Sequence, residues 1–200
     1  MSTIANKSDL HEQMVTWRHQ LHQHPELSFK EKMTSDYIAS VLQSHDIEIH
    51  RGLAVTGIIA TVHGQRDGNV IGLRADMDAL PIQETGDVEY RSVNEGVMHA
   101  CGHDGHTAML LGAAKILSQK KSQLKGTATF IFQPAEEGQG GARFMIEDGA
   151  LNNVDEIYGI HLWNYQLYGE VSTKPGPIMA AADMFEITIK GKGGHGGMPH

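Results

Sequence analysis

Apolar residues recur at Leu10, Met14, Trp17 and Leu21, the spacing that gathers side chains on one face of a helix, and Pro25 ends the pattern. An amphipathic helix is therefore predicted over residues 9–24. A second is predicted over 31–44, where Met33, Tyr37, Ile38, Val41 and Leu42 share one side. The pattern then turns to short β-rich runs at 47–50, 56–63 and 70–73, the last two joined by the turn-like Gln65, Arg66, Asp67 and Gly68. Met109, Leu110, Ala113, Ala114 and Leu117 give residues 106–118 a helix-forming composition, with His106 expected to start the helix. Further along, 127–132 reads as a buried strand, 144–146 as part of a short helix, 157–160 as a strand, and 185–189 as a strand of alternating pattern. Helices alternating with strands predict an α/β fold, a mostly parallel sheet flanked by helices.

Composition narrows the chemistry. The 200 residues are 40% apolar and 20% charged, enough for one proper core and the beginning of a second domain. The net charge of -8 comes without any basic block, so neither nucleic acid nor an anionic membrane is an expected partner. No apolar stretch is long enough to span a bilayer, and the polar N-terminus lacks a signal-peptide core, so a cytoplasmic protein is expected. The single cysteine, Cys101, cannot form an internal disulfide and suits a reducing compartment, as inert core, nucleophile or metal ligand. Most of the 13 histidines, among them His11, His19, His45, His50 and His63, sit in polar surroundings and are expected at the surface.

Candidate chemistry follows the strands, where open α/β sheets bind ligands. The run 70–73 leads to Asp76 and Asp78, the run 127–132 to Glu136 and Glu137, and the run 157–160 to His161. Between the first two lies Cys101, Gly102, His103, Asp104, Gly105 and His106, a turn rich enough in glycine to aim Cys101 and His103 at one point. Thiolate, imidazole and carboxylate are the donors that hold zinc and its first-row neighbours. Glu136 and Glu137 are expected to point in opposite directions, one binding metal and one reacting. An unligated carboxylate beside a metal-activated water is the arrangement for amide hydrolysis. Asp76 and Asp78 are candidates for orienting the ligands, and His99 for supporting the turn.

Five strings carry a resemblance: Arg18 with Leu21–Phe29 (LHQHPELSF), Leu73–Pro81 (LRADMDALP), Met98–Thr107 (MHACGHDGHT), Phe132–Gly138 (FQPAEEG) and Gly159–Trp163 (GIHLW). The chain resembles the hippurate hydrolase and auxin-conjugate hydrolase branch of the aminoacylase and carboxypeptidase family of dinuclear metallohydrolases. The resemblance implies that Cys101, His103, Glu137 and His161 bind two divalent ions, zinc or manganese with cobalt or nickel as further candidates, and that Glu136 is the catalytic carboxylate. It implies a small N-acyl amino acid as substrate and a homodimer or higher homo-oligomer. It also implies that residues 1–182 are the N-terminal part of a metal-binding catalytic domain and 183–200 the start of a smaller α/β lid and dimerisation domain, with His195 donating to the substrate carbonyl. A further histidine ligand is expected beyond His200, in the remainder of a longer chain.

Two other readings compete. A cysteine hydrolase would use Cys101 as nucleophile without metal, but it has no use for Glu136 and Glu137 at a strand end. A non-catalytic metal-binding protein would keep the ligands without turnover.

Overall fold

The structure, a computed structural model, describes residues 7–181 and 183–198. The chain divides into two compact units, Met1–Trp163 and Asn164–His200. The first contains α1 (Lys7–Gln23), α2 (Lys32–Gln43), β1 (Glu48–Leu53), β2 (Gly57–His63), β3 (Arg66–Asp76), α3 (His103–Gln119), β4 (Lys125–Gln133), α4 (Gly141–Glu147) and β5 (Glu156–Gly159).

The five strands form one sheet in the order β1-β2-β4-β3-β5. The expected parallel character holds for β4–β3 and β3–β5, while β1–β2 and β2–β4 are antiparallel. β4 enters between β2 and β3 because its side chains are buried on both faces from Ala128 onward, which suits a central position. Alternation along β4 divides the core: Ala128, Phe130 and Phe132 face Trp17, Ile38, Leu42 and Leu111, whereas Ile131 joins Leu53, Met145 and Ala150. Helices α1, α2 and α3 thus contribute to one apolar cluster and α4 to the other.

Three expectations are corrected. The predicted turn at 65–68 is mostly strand, since Arg66 already pairs with Lys125 before the register shifts ahead of Val70. α3 begins at His103 rather than His106, because Gly102 at φ 90° makes the left-handed reversal that lets the helix start three residues earlier. Residues 185–189 form no strand in the described structure, since an alternating pattern becomes a strand only where a neighbour supplies hydrogen-bond partners.

In the second unit the described residues hold neither helix nor strand, only an isolated bridge between His195 and Met198. Among the described residues no helix is long and apolar enough to cross a membrane.

The side chain of Phe130 is fully buried where the sheet meets the helices. Phe130→Ala is expected to destabilise the protein by about 3–5 kcal/mol. Denaturant unfolding checks this, and a loss below about 1 kcal/mol would mean the core can close over the gap.

Candidate metal centre and catalytic carboxylates

The carboxyl ends of β3, β4 and β5 lie together, with Asp76 opposite Gln133 and Arg74 opposite Gly159. Each candidate residue of the first unit follows one of these ends or stands at the start of α3. This is the edge where parallel strands bind ligands.

His103 is the hub. Its fully buried ring donates from Nδ1 to the Asp78 carbonyl oxygen at 2.8 Å, with Asp78 Oδ1 at 3.3 Å. That contact fixes the tautomer and leaves Nε2 with a free lone pair. Around Nε2 stand Glu137 Oε1 at 3.6 Å, Asp76 Oδ1 at 3.7 Å and Glu136 Oε2 at 3.9 Å. These separations exceed hydrogen-bonding distance, and both His103 Nε2 and Glu137 Oε1 are buried without a hydrogen-bond partner. Beside them, Cys101 Sγ lies 3.6 Å from His161 Nε2.

Glu136 and Glu137 converge on His103 rather than pointing in opposite directions. The chain is not extended there: Ala135 has φ 52°, and the Gly138 amide closes back on the Glu136 carbonyl at 2.7 Å. Asp78 holds this turn, with Oδ1 accepting from the Glu136 amide at 3.1 Å and Oδ2 from the Glu137 amide at 3.0 Å and from Ser28 Oγ at 2.7 Å. What separates the two glutamates is exposure, 44% for the Glu136 side chain against 23% for Glu137.

His161 is placed by a different chain of contacts. Arg74 donates to Asp76 Oδ2 at 2.7 Å, His106 Nδ1 donates to Asp76 Oδ1 at 2.6 Å, and His106 Nε2 accepts the Leu162 amide at 2.8 Å. Gly105 leaves room for this approach, since a Cβ there would come within 2.4 Å of Leu162 Cδ1.

The electrostatics are those of an anionic nest. Burial and the neighbouring carboxylates of Glu137, Asp76 and Glu136 push the Cys101 thiol up to about 12. Burial, then Asp76 and Glu137, raises Glu136 above the usual glutamate range. Burial would lower His103, but its hydrogen bond to Asp78 and the charges of Asp76, Asp78 and Glu137 prevail and raise it.

The donors fit a divalent ion. Metal–nitrogen and metal–oxygen bonds at a tetrahedral angle separate two ligand atoms by about 3.3 Å, and a sulfur–nitrogen pair by about 3.6 Å. The two facing pairs, His103 with Glu137 and Cys101 with His161, are each 3.6 Å apart. Ligand atoms of Cys101, His103 and His161 lie within 4.8 Å of one another, as do those of His103, Glu136 and Glu137.

The model of peptidase family M20/M25/M40 matches residues 72–197. This chain belongs to that family. It is 51% identical over 189 residues to an N-acyl-L-amino acid amidohydrolase of Geobacillus stearothermophilus, covering 94% of this chain and 51% of the relative. Identity to an N-acetylcysteine deacetylase of Bacillus subtilis is 49% over 198 residues, covering 98% and 52%. The chain thus spans about half the length of the curated relatives it matches. A solved structure of the YXEP protein of Bacillus subtilis, described as a dinuclear metal-binding peptidase of the M20 family, aligns with a TM-score of 0.75 and 48% identity over 78% of this chain and 44% of that one.

In this M20 chain Cys101, His103, Glu136, Glu137 and His161 come together, with Asp76 and Asp78 beneath them as orienting groups. His195 lies in the second unit, where its Nδ1 accepts the Gly197 amide at 3.2 Å. His99, expected to support the turn, is buried with neither ring nitrogen hydrogen-bonded, and burial pushes it down to about 4. Sequence reasoning gave no role to His22, Glu84 or Glu31. His22 bridges Asp104 Oδ2 at 2.9 Å and Glu84 Oε1 at 3.2 Å, and Arg18 also reaches Asp104 at 3.0 Å, tying α1 to the first turn of α3. The Asp104 hydrogen bond, against the cost of burial, raises His22.

Asp78→Asn would turn an amide NH2 toward donors that its carboxylate now accepts from, disturbing the 136–137 turn, while the contact of His103 with the Asp78 main-chain carbonyl stays. Metal affinity is expected to weaken by about 10- to 100-fold, as for other groups that orient ligands. Competitive metal titration of the full-length protein measures it, and unchanged affinity would remove Asp78 from the support of the site.

Proposed function

We propose that this chain forms the metal-binding part of a metal-dependent amidohydrolase that cleaves N-acyl amino acids. The observation that carries the reading is the facing of two buried, partnerless ligand atoms, His103 Nε2 and Glu137 Oε1, beside the Cys101–His161 pair and Glu136. Cys101, His103, Glu137 and His161 hold a pair of divalent ions in this reading, zinc or manganese by donor type. When bound, such ions supply the positive charge that acidifies water and polarises an amide carbonyl.

The chain's own residues do the rest. Glu136, more exposed than Glu137 and raised by burial and its acidic neighbours, takes a proton from the attacking water and delivers it to the leaving nitrogen as the C–N bond breaks. The products are a carboxylic acid and the free amino acid. Asp78 keeps His103 in the tautomer that presents Nε2, and Asp76 acts through His106 on the loop carrying His161. His195 as the group that meets the substrate carbonyl, a smaller lid domain from residue 183, a homodimer and a cytoplasmic location complete the proposal. The similarity to an N-acyl-L-amino acid amidohydrolase and an N-acetylcysteine deacetylase supports the substrate class.

The decisive experiment is Glu136→Gln in the full-length protein. Metal content is expected to stay unchanged while hydrolysis of N-acyl amino acids falls by about 100- to 10,000-fold, the range for losing a general base. Undiminished hydrolysis would end the assignment of Glu136, and full activity after complete chelation would end the metal-dependent reading.

A further inference from the structure

Glu31 stands apart from the metal donors and has a fully buried side chain. It is the residue that precedes α2, and no cation pairs with it among the described ion pairs. Its carboxylate instead accepts from neutral donors at two distant places in the chain. Oε1 accepts the Ala135 amide at 3.0 Å, and Oε2 accepts Thr56 Oγ1 at 2.7 Å.

The Ala135 donor belongs to strained backbone, with φ of 52°, a left-handed conformation that a non-glycine residue keeps only when its surroundings enforce it. The other donor, Thr56, follows Ala54 and Val55, which have φ of 45° and 76° in the turn between β1 and β2. A single buried carboxylate therefore anchors two loops where the backbone would otherwise relax.

The Ala135 contact matters most because Glu136 is the next residue. Three consecutive amides of this turn end on buried carboxylates: Ala135 on Glu31, and Glu136 and Glu137 on Asp78. The turn is closed from behind by the Gly141 amide on the Ala135 carbonyl at 2.9 Å, at a position where a Cβ would come within 1.8 Å of the Pro134 carbonyl oxygen. Asp78 also touches His103, whereas Glu31 reaches the active-site turn only through Ala135.

We propose that Glu31 is a positioning residue for Glu136, holding the strained Ala135 turn in the conformation that aims the catalytic carboxylate; this rests on the reading of Glu136 as the base. A residue of this kind acts on the geometry of the reaction rather than on the binding of metal or substrate. Misplacement of a reacting group by an ångström costs up to about 100-fold in rate.

The test uses full-length protein carrying Glu31→Gln, which leaves one acceptor oxygen for the two donors, and Glu31→Met, which leaves none. In metal-free protein, amide exchange across 135–138 is expected to accelerate by about 10-fold or more while the body of α3 is unchanged. In the metal-loaded enzyme kcat is expected to fall in the order wild type, Gln, Met, by about 10- to 100-fold for Met, with KM within about threefold and metal content constant. Thr56→Val, which removes only the hairpin contact, is expected to lower stability with little effect on kcat. Unaccelerated exchange at 135–138, or accelerated exchange with unchanged kcat, would overturn the proposal. A Glu31→Met variant that does not fold leaves Glu31→Gln to decide on the same two readouts. Glu136→Gln run in parallel separates the premises: retained hydrolysis there removes the base and the catalytic part of this inference with it, whatever the exchange shows.

Discussion

The site depends on one electrostatic constraint. Asp76, Asp78, Glu136, Glu137 and the Cys101 sulfur are gathered around a single buried imidazole, and nearby carboxylates repel one another. Oxygens of Glu136 and Glu137 stand within 4.8 Å, a separation at which two charges cost about 3 kcal/mol before solvent screening reduces it. The fold offsets this by satisfying the deeper acids with donors. Asp76 takes Arg74 and His106, Asp78 takes Ser28 and two backbone amides, and Asp104 takes Arg18 and His22 on Oδ2 while its Oδ1 has no hydrogen-bond partner. Asp76 is accordingly held well below the usual carboxylate range and Asp104 at about 2, even though burial alone would raise both. The acids closest to the centre receive no such compensation, and Glu136 is raised instead. An environment that keeps the outer acids ionised and leaves the inner donors unsatisfied favours a cation at the centre.

The fold supplies that arrangement through the parallel part of the sheet. β3 is flanked by β4 and β5, so three chain segments leave the sheet on the same edge, while the antiparallel β1–β2 hairpin lies beyond β4. Gly102 lets α3 begin at His103, which places His103 and His106 in one helical turn, the first facing Glu137 and the second reaching back to Asp76. A helix starting at His106 would have left His103 on a loop. The left-handed glycine therefore matters to the chemistry as much as to the fold.

Much of this was legible in the sequence, for reasons specific to particular residues. α1, α2 and β4 announce themselves by periodicity because each buries a face along its own length. The donor residues sit in short contiguous strings directly after strands, so composition and position pointed to Cys101, His103 and the Glu136–Glu137 pair, while His161 as a ligand and Glu136 as the reacting acid came with the family resemblance. The rest depends on contacts between distant segments. Residues 185–189 alternate like a strand, but alternation supplies no pairing neighbour. Glu136 and Glu137 were expected to diverge because the left-handed Ala135 between strand and acids has no signature in an alanine. Glu31 resembles any polar residue at a helix start, and its partner Ala135 is 104 residues away.

The supporting carboxylates also differ in what they connect. Asp78 reaches His103 through its backbone carbonyl and the amides of Glu136 and Glu137 through its carboxylate, so one residue supports both the buried imidazole and the turn that carries the two glutamates. Glu31 reaches only the start of the turn and belongs to a layer that includes the β1–β2 hairpin and the entry to α2. Two anchors on consecutive amides restrain the turn more than either alone, since an amide released at Ala135 can pivot while its neighbours stay fixed. Such over-determination is the condition under which a left-handed alanine persists in a folded chain. The strain at Ala135 and the buried carboxyl group of Glu31 are therefore two sides of one device: each is costly alone, and together they hold the backbone that carries Glu136.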